Sequence, residues 1–158
     1  MDESLPADAR CDSNDRPAAR PISSEERGLL LAAVVGLSDA EREILVKRFY
    51  EALREASPRS RRHFDNLDPD RQAAKLGESL RVIAALAGNR QALGSEVIRL
   101  GIAHRQRMIS EEDYRVFTNV LADALAKLPG PVPAARARAF WREELEAVSA
   151  LMQIVGDV

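Results

Sequence analysis

Apolar residues recur at helical spacing along most of the chain after residue 22, and this period constrains the fold more than any other feature. Leu76, Leu80 and Ile83, for example, stand at positions i, i+4 and i+7. No segment shows the strict alternation of apolar and polar residues that is typical of a half-buried strand. Aromatic residues make up only 4% of the chain, which disfavours a β-sandwich. The sequence therefore predicts an all-α domain of six to eight helices.

Helix starts and ends can be located from capping residues and helix breakers. Ser23 with Glu26, and Ser38 with Glu41, have the spacing of a capping box, in which each side chain bonds the backbone of the other residue. The predicted helices are 23–36, 39–56, 70–87, 90–107 with an interruption near Gly94 or Gly101, 111–128 and 134–154, with a short helical turn at 58–62.

The first 22 residues are polar, contain proline and lack any period, so we expect a disordered tail before a single domain at 23–158. Cys11 is the only cysteine, which excludes an internal disulfide and a multi-cysteine metal site. The charges nearly balance, since 23 basic and 25 acidic residues give a net charge of −2. This balance argues against a protein that binds nucleic acid through its phosphates.

No segment approaches the ~18 uncharged apolar residues that a membrane span requires. The longest apolar run, Leu29–Leu37, follows an acidic and proline-containing stretch and lacks a convincing cleavage site, so we do not interpret it as a signal peptide. We therefore expect no membrane partner and a cytoplasmic protein.

The chain has two histidines with different surroundings. His63 ends the basic run Arg59–His63, and we interpret it as solvated. His104 ends the apolar helical stretch Val97–His104 and is expected to point inward. A single histidine cannot hold zinc, which takes four ligands, and on its own it is more often a hydrogen-bonded core residue. It can hold a haem iron, because the porphyrin supplies four nitrogens and the protein needs only one axial imidazole.

Five short motifs stand in the order and register of a known family. They are Tyr50 in the segment 48–53, Phe64 fourteen residues later, Gln72 and Leu76 in the segment 70–76, His104 thirty-two residues after Gln72, and Tyr114 in the segment 109–114. With these motifs, residues 38–153 resemble the globin family, in particular bacterial single-domain globins and the haem domain of flavohaemoglobins. The resemblance implies a globin fold around a haem pocket.

The resemblance also implies roles for individual residues. His104 would bind the iron of haem b (iron protoporphyrin IX), and Tyr50 and Gln72 would donate hydrogen bonds to the partly negative outer atom of bound O₂. Such bonds contribute about 1.5–3 kcal/mol each, which implies slow O₂ release. The remaining haem-contacting candidates are Phe64, Leu76 and Tyr114, with Ile98, Leu100 and Val120 as further apolar lining.

Lys75 has two interpretations within this resemblance, because it lies three residues after Gln72 on nearly the same helix face. It either reaches a haem propionate, which is favoured, or binds the iron itself when no gas is present. Arg71, Arg105 and Arg107 are the other propionate candidates.

The chain departs from flavohaemoglobins in two respects. It has no G-x-G-x-x-G motif of a reductase domain, so turnover is expected to need an external electron source or reductase. The last helix also has no glutamate at the position where that family sets one against the proximal histidine. A histidine without this carboxylate is less electron-rich, which disfavours strong peroxidase-type activity.

Three functions remain open on the sequence. The first is a haem globin that binds O₂, and also NO or CO, with NO dioxygenation as the candidate enzymatic activity. The second is a haem-based gas or redox sensor that signals through a protein partner. The third is a haem-free, globin-like interaction module. The sequence leaves open a homodimer.

Overall fold

The structure is a computed structural model and describes residues 20–156. These residues form six α-helices and one 3₁₀ helix with short connecting segments. The helices are α1 (Ser24–Val35), α2 (Asp39–Ala56), the 3₁₀ helix Pro58–His63, α3 (Pro69–Leu86), α4 (Arg90–Gln106), α5 (Glu111–Ala126) and α6 (Ala134–Gly156). These residues contain no strand, which confirms the all-α prediction. Residues 1–19 of the predicted tail, including Cys11, lie outside the described residues.

The helices begin where the capping residues predict. Ser23, Ser38 and Ser110 each form a complete capping box with the acidic residue three positions later. At the start of α3, the Asp68 carboxylate accepts hydrogen bonds from two backbone amides, and Pro69 takes the first helical position. The chain is thereby committed to helix at these points by interactions that are local in sequence.

The predicted interruption of the fourth helix near Gly94 or Gly101 is wrong, because α4 is continuous from Arg90 to Gln106. A glycine weakens a helix without necessarily breaking it, and packing against neighbouring helices supplies the missing stability. Around Gly94 there is open space, whereas Gly101 lies directly against the backbone of α6.

The core consists of two clusters of buried side chains. The main one draws on α1, α2, α3, α5 and α6, and at its centre Phe49 is fully buried with its ring 4.8 Å from that of Phe117. The smaller one joins Val97 of α4, Tyr114 of α5 and Met152 of α6. Residues of both clusters line a single cavity, which the helices therefore enclose from several sides.

Residues 20–22, which the sequence assigns to the tail, contact the helices. The Arg136 guanidinium donates hydrogen bonds to the carbonyl oxygens of Arg20 and Pro21, at 2.7 and 3.3 Å. Ile22 packs against the main core. Contacts with the domain therefore begin before Ser23 within the described part of the chain.

None of the helices in residues 20–156 combines the length and the apolarity that crossing a membrane demands.

Candidate functional site

A cavity of about 660 Å³ lies between the 3₁₀ helix and helices α2 to α6. Its size falls within the range of cofactor and small-molecule sites. Much of its wall is apolar, including Leu53, Leu80, Ile83, Phe117, Leu145 and Val148. An apolar wall of this kind suits a large ligand that is itself apolar and that must be kept from water.

The seven principal site candidates of the sequence all contribute to the wall of this cavity. They are Tyr50, Phe64, Gln72, Lys75, Leu76, His104 and Tyr114. They come from four helices and from the segment after the 3₁₀ helix, and up to 64 positions separate them along the chain. The fold therefore brings the predicted set together.

One ring nitrogen of His104 forms a hydrogen bond, and the other is left with a lone pair that can bind a ligand. Its Nδ1 lies 2.7 Å from the Leu100 carbonyl oxygen. Because a carbonyl oxygen only accepts hydrogen bonds, Nδ1 carries the hydrogen and Nε2 keeps its lone pair. Burial lowers the pKa of His104 below its ordinary value, as does the charge of Arg107, against an opposing effect of the Leu100 carbonyl. The ring is thus neutral, which is the form that binds a metal.

Tyr50 lies in a row of aromatic rings on α2 and the segment that follows the 3₁₀ helix. Its ring centre is 5.1 Å from that of Phe49 and 5.2 Å from that of Phe64, in tilted and edge-on arrangements. Burial raises the pKa of Tyr50 to about 12, although the charge of Arg107 opposes this shift. The hydroxyl therefore stays protonated at neutral pH and remains a hydrogen-bond donor to the cavity.

Helix α3 supplies the other candidate donor and several cations. Gln72 and Leu76 are one turn apart on this helix, and both are half-buried at the cavity wall. Among the propionate candidates, Lys75, Arg71 and Arg107 line the cavity. Arg105 does not line it, so the structure removes it from this set.

Two of the apolar residues that the sequence assigns to the lining lie elsewhere. Ile98 is 46% exposed on the outer side of α4. Val120 packs against the main core rather than the cavity. Both predictions are wrong for the same reason. Helical spacing defines which residues share a face of a helix, but it does not define which neighbouring element that face contacts. Leu100, Phe64 and Leu76 do line the cavity.

The interpretation of His63 as a solvated residue is also wrong. Its side chain is only 10% exposed and lines the cavity, and its Nε2 lies 3.2 Å from Oδ2 of Asp113, which is 7% exposed. Burial acts to raise the pKa of Asp113, but hydrogen bonds from Ser110 and His63 outweigh it and lower the pKa to about 2. The ionised carboxylate accepts the hydrogen of Nε2, and this pair ties the 3₁₀ helix to the start of α5.

A partial signal for this pair exists in the sequence. Asp113 stands three residues after Ser110, so its carboxylate is predictable as part of a capping box. The box and His63 both use Oδ2 of this carboxylate, and Oδ1 is left for Ser60, whose Oγ lies 3.5 Å away. Nothing local identifies His63, fifty positions away, as the residue that pairs with it.

Helix α6 offers the cavity no carboxylate, as the sequence predicts. The residues of this helix that line the cavity are Leu145, Val148, Ser149 and Met152. Ser149 Oγ instead lies 3.2 Å from Oγ1 of Thr118 on α5. Next to His104 stands the ring of Tyr114, with 5.9 Å between the ring centres. Within residues 20–156 the wall formed by α4, α5 and α6 therefore combines an imidazole and a phenol with hydroxyl groups.

Asp113→Asn is expected to lower the free energy of unfolding by about 2 kcal/mol at pH 7. The pKa of Asp113 falls from 3.8 to about 2 on folding, and a tenfold change in proton affinity corresponds to about 1.4 kcal/mol. The stabilisation is present above pH 4 and disappears as the pH falls through 2, so wild type and variant should converge in acid. Urea unfolding at pH 7, 4 and 3 measures this difference.

Glu112→Gln is the matched control for that experiment. Glu112 is the neighbouring carboxylate, but it is exposed and pairs only with Arg115 on the surface. Its loss is expected to leave the free energy of unfolding almost unchanged, because an exposed ion pair contributes little to stability. Equal effects of the two substitutions would contradict the buried pair.

The donor set and the wall fit a haem. A neutral imidazole with a free Nε2 provides one axial nitrogen, which is all that a porphyrin-bound iron requires of the protein. Lys75, Arg71 and Arg107 provide cations for carboxylates at the edge of the same cavity. No group of three or more histidine, cysteine, aspartate or glutamate side chains in residues 20–156 could hold a bare metal ion. The fold and the site thus define an all-α protein with an apolar cavity that fits a planar, singly ligated cofactor.

The sequence model of the globin family matches residues 47–152, two thirds of the chain. The chain belongs to the globin family, and its all-α architecture is a globin fold. Membership of this family implies that it is a haem-binding protein. No curated protein and no solved structure matches the chain.

Proposed function

We propose that this globin binds haem b through Nε2 of His104 and binds O₂ and NO in the part of the cavity lined by Tyr50 and Gln72. The observation that carries the proposal is the arrangement of His104. Its ring is half-buried and neutral at pH 7, its Nδ1 donates to the Leu100 carbonyl, and it shares one apolar cavity with a protonated tyrosine hydroxyl. The same motifs support a globin of the bacterial single-domain or flavohaemoglobin type.

Each polar side chain has a distinct task in this proposal. A haem supplies an iron that binds diatomic gases reversibly. Tyr50 donates its O–H, and Gln72 its side-chain N–H, to the partly negative end of the gas. The apolar wall keeps water from the site, which strengthens these hydrogen bonds and protects the ferrous state.

Lys75, Arg71 and Arg107 are proposed to bind the haem carboxylates. All three line the cavity, and Arg71 and Arg107 are exposed residues whose long side chains can place their charge at the water-facing edge. Arg107 is near enough to shift the pKa of both Tyr50 and His104, so its charge bears on the centre of the site as well as the edge.

NO dioxygenation is the reaction that we propose for the gas-bound protein, with electrons from an external reductase. The haem would supply the ferrous iron whose one electron accompanies the combination of NO and O₂ to nitrate, and the reductase would return that electron. The chain's own contribution is to retain O₂ through Tyr50 and Gln72 until NO arrives. Slow O₂ release favours this use over transport, because transport needs the gas to leave.

Titration of the pure protein with haemin tests the proposal. We expect one haem per chain, an intense Soret band distinct from that of free haemin, and a further spectral change when O₂ is added to the ferrous protein. The ferrous spectrum without gas, compared with that of Lys75→Ala, tests whether the lysine binds iron. Absence of a protein-bound Soret band would leave only the haem-free interaction module.

A further inference from the structure

At Gly101, helix α4, which carries His104, lies directly against the backbone of α6. A Cβ atom placed on Gly101 would lie 2.7 Å from the carbonyl oxygen and 3.1 Å from the Cα of Met152. Cβ atoms essentially never come within 3.0 Å of another heavy atom, and the atoms in the way are backbone atoms that cannot rotate aside. Only a residue without a side chain allows the two helices to come this close.

The presence of glycine at position 101 cannot be explained by the stability of α4 itself. Glycine destabilises a helix interior relative to alanine. Gly94, on the same helix, has no atom within 4 Å of its would-be Cβ, so its surroundings would accept a side chain. Gly101, in contrast, is buried, and Met152 is both buried and part of the cavity wall. The close approach at Gly101 therefore sets the distance between α4 and the cavity.

The distance between α4 and α6 determines the position of the His104 imidazole. His104 stands one turn after Gly101 on a continuous helix, and its Nδ1 is bonded to the Leu100 carbonyl of that same helix. The ring is thus fixed relative to α4, and it can move only as α4 moves. Tyr114, which belongs to α5, provides an independent reference point 5.9 Å from the ring.

We infer that Gly101 is a positioning residue for His104, because it sets how deeply the imidazole projects into the cavity. The inference rests on the proposed function only for the statement that this imidazole binds the haem iron. Placing the ring is a property of the protein without haem. A side chain at 101 would need about 0.7 Å of extra separation to bring 2.7 Å to the 3.4 Å of ordinary contact. A shift of this size is enough to misplace a metal ligand.

Gly101→Ala, with Gly94→Ala as the matched control, tests the inference in two states. In the haem-free protein, the NMR shifts of the His104 ring protons report their position relative to the Tyr114 ring. We expect them to change in Gly101→Ala and to stay at wild-type values in Gly94→Ala. In the haem-bound protein, Gly101→Ala should release haem at least tenfold faster and shift the iron–imidazole stretching vibration, while Gly94→Ala leaves both unchanged.

The double variant Gly94→Ala/Gly101→Ala is used if the single substitution impairs folding, because alanine at 94 stabilises the helix. It is compared with Gly94→Ala by the same measurements. Unchanged His104 ring shifts in the Gly101 variant, together with wild-type haem release, would overturn the inference. Shifted rings in Gly101→Ala, together with a wild-type protein that does not bind haem, would uphold the positioning role and refute the proposed haem function instead.

Discussion

His104→Leu is expected to remove the axial bond to the haem iron and to weaken haem binding by roughly 100-fold or more. Groups that merely orient a metal ligand typically contribute 10- to 100-fold in affinity, and loss of the ligand itself should cost at least as much. Leucine keeps the apolar volume, so the cavity stays closed to water. Haem transfer to an excess of an acceptor globin measures the change.

His63→Leu is the matched control, since it removes the other imidazole of the same cavity. It leaves Asp113 buried without its partner, so the protein loses stability. The spectrum of the bound haem should nevertheless keep the signature of an axial histidine. The reverse result, with haem ligation lost in His63→Leu and kept in His104→Leu, would mean that His63 rather than His104 binds the iron.

The helices could be predicted from the sequence because their signals are local. For α2 the predicted range 39–56 coincides with the observed one, since Ser38 and Glu41 fix the start and Ser57–Pro58 follows the end. The other boundaries of the described helices either coincide with the predicted ones or differ from them by one or two residues. A capping box involves four consecutive residues, so no knowledge of the tertiary structure is required to find it.

The convergence of the site residues could be predicted only through their common register. Taken alone, Tyr50 or Gln72 could equally be a core or a surface residue. Their spacing to His104 is compatible with one shared cavity, and all three residues line it. Such spacing is informative because a helix has a fixed rise per residue, so the number of residues sets where each side chain lies. That they hold haem and gas remains a prediction.

The two clearest errors both concern contacts between distant parts of the chain. His63 lies in a basic run, yet its side chain lines the cavity and forms a hydrogen bond with Asp113, fifty positions away. Gly101 is a residue type that disfavours helix, yet α6 packs against it and α4 continues through it. In each case the partner that decides the outcome comes from another helix, so the local pattern does not contain it.

Tyr50→Phe is expected to raise the O₂ dissociation rate by roughly 10- to 100-fold. Only the hydroxyl is lost, so the ring packing against Phe49 and Phe64 is kept. A hydrogen bond to a charged acceptor contributes about 1.5–3 kcal/mol, which corresponds to this range of rates. Because the pKa of Tyr50 is about 12, the wild-type rate should not change between pH 6 and 9 through this group.

Tyr114→Phe distinguishes a distal donor from any buried tyrosine of the cavity. Tyr114 also lines the cavity and is more deeply buried than Tyr50, but it lies beside His104. Its hydroxyl should therefore matter little for O₂ release, and we expect a change of less than about threefold, well below the effect of losing a hydrogen bond. Stopped-flow replacement of O₂ by CO measures both rates. An unchanged rate in Tyr50→Phe would mean that Gln72 alone retains the gas, and a larger effect of Tyr114→Phe would place the gas on the opposite side of the haem.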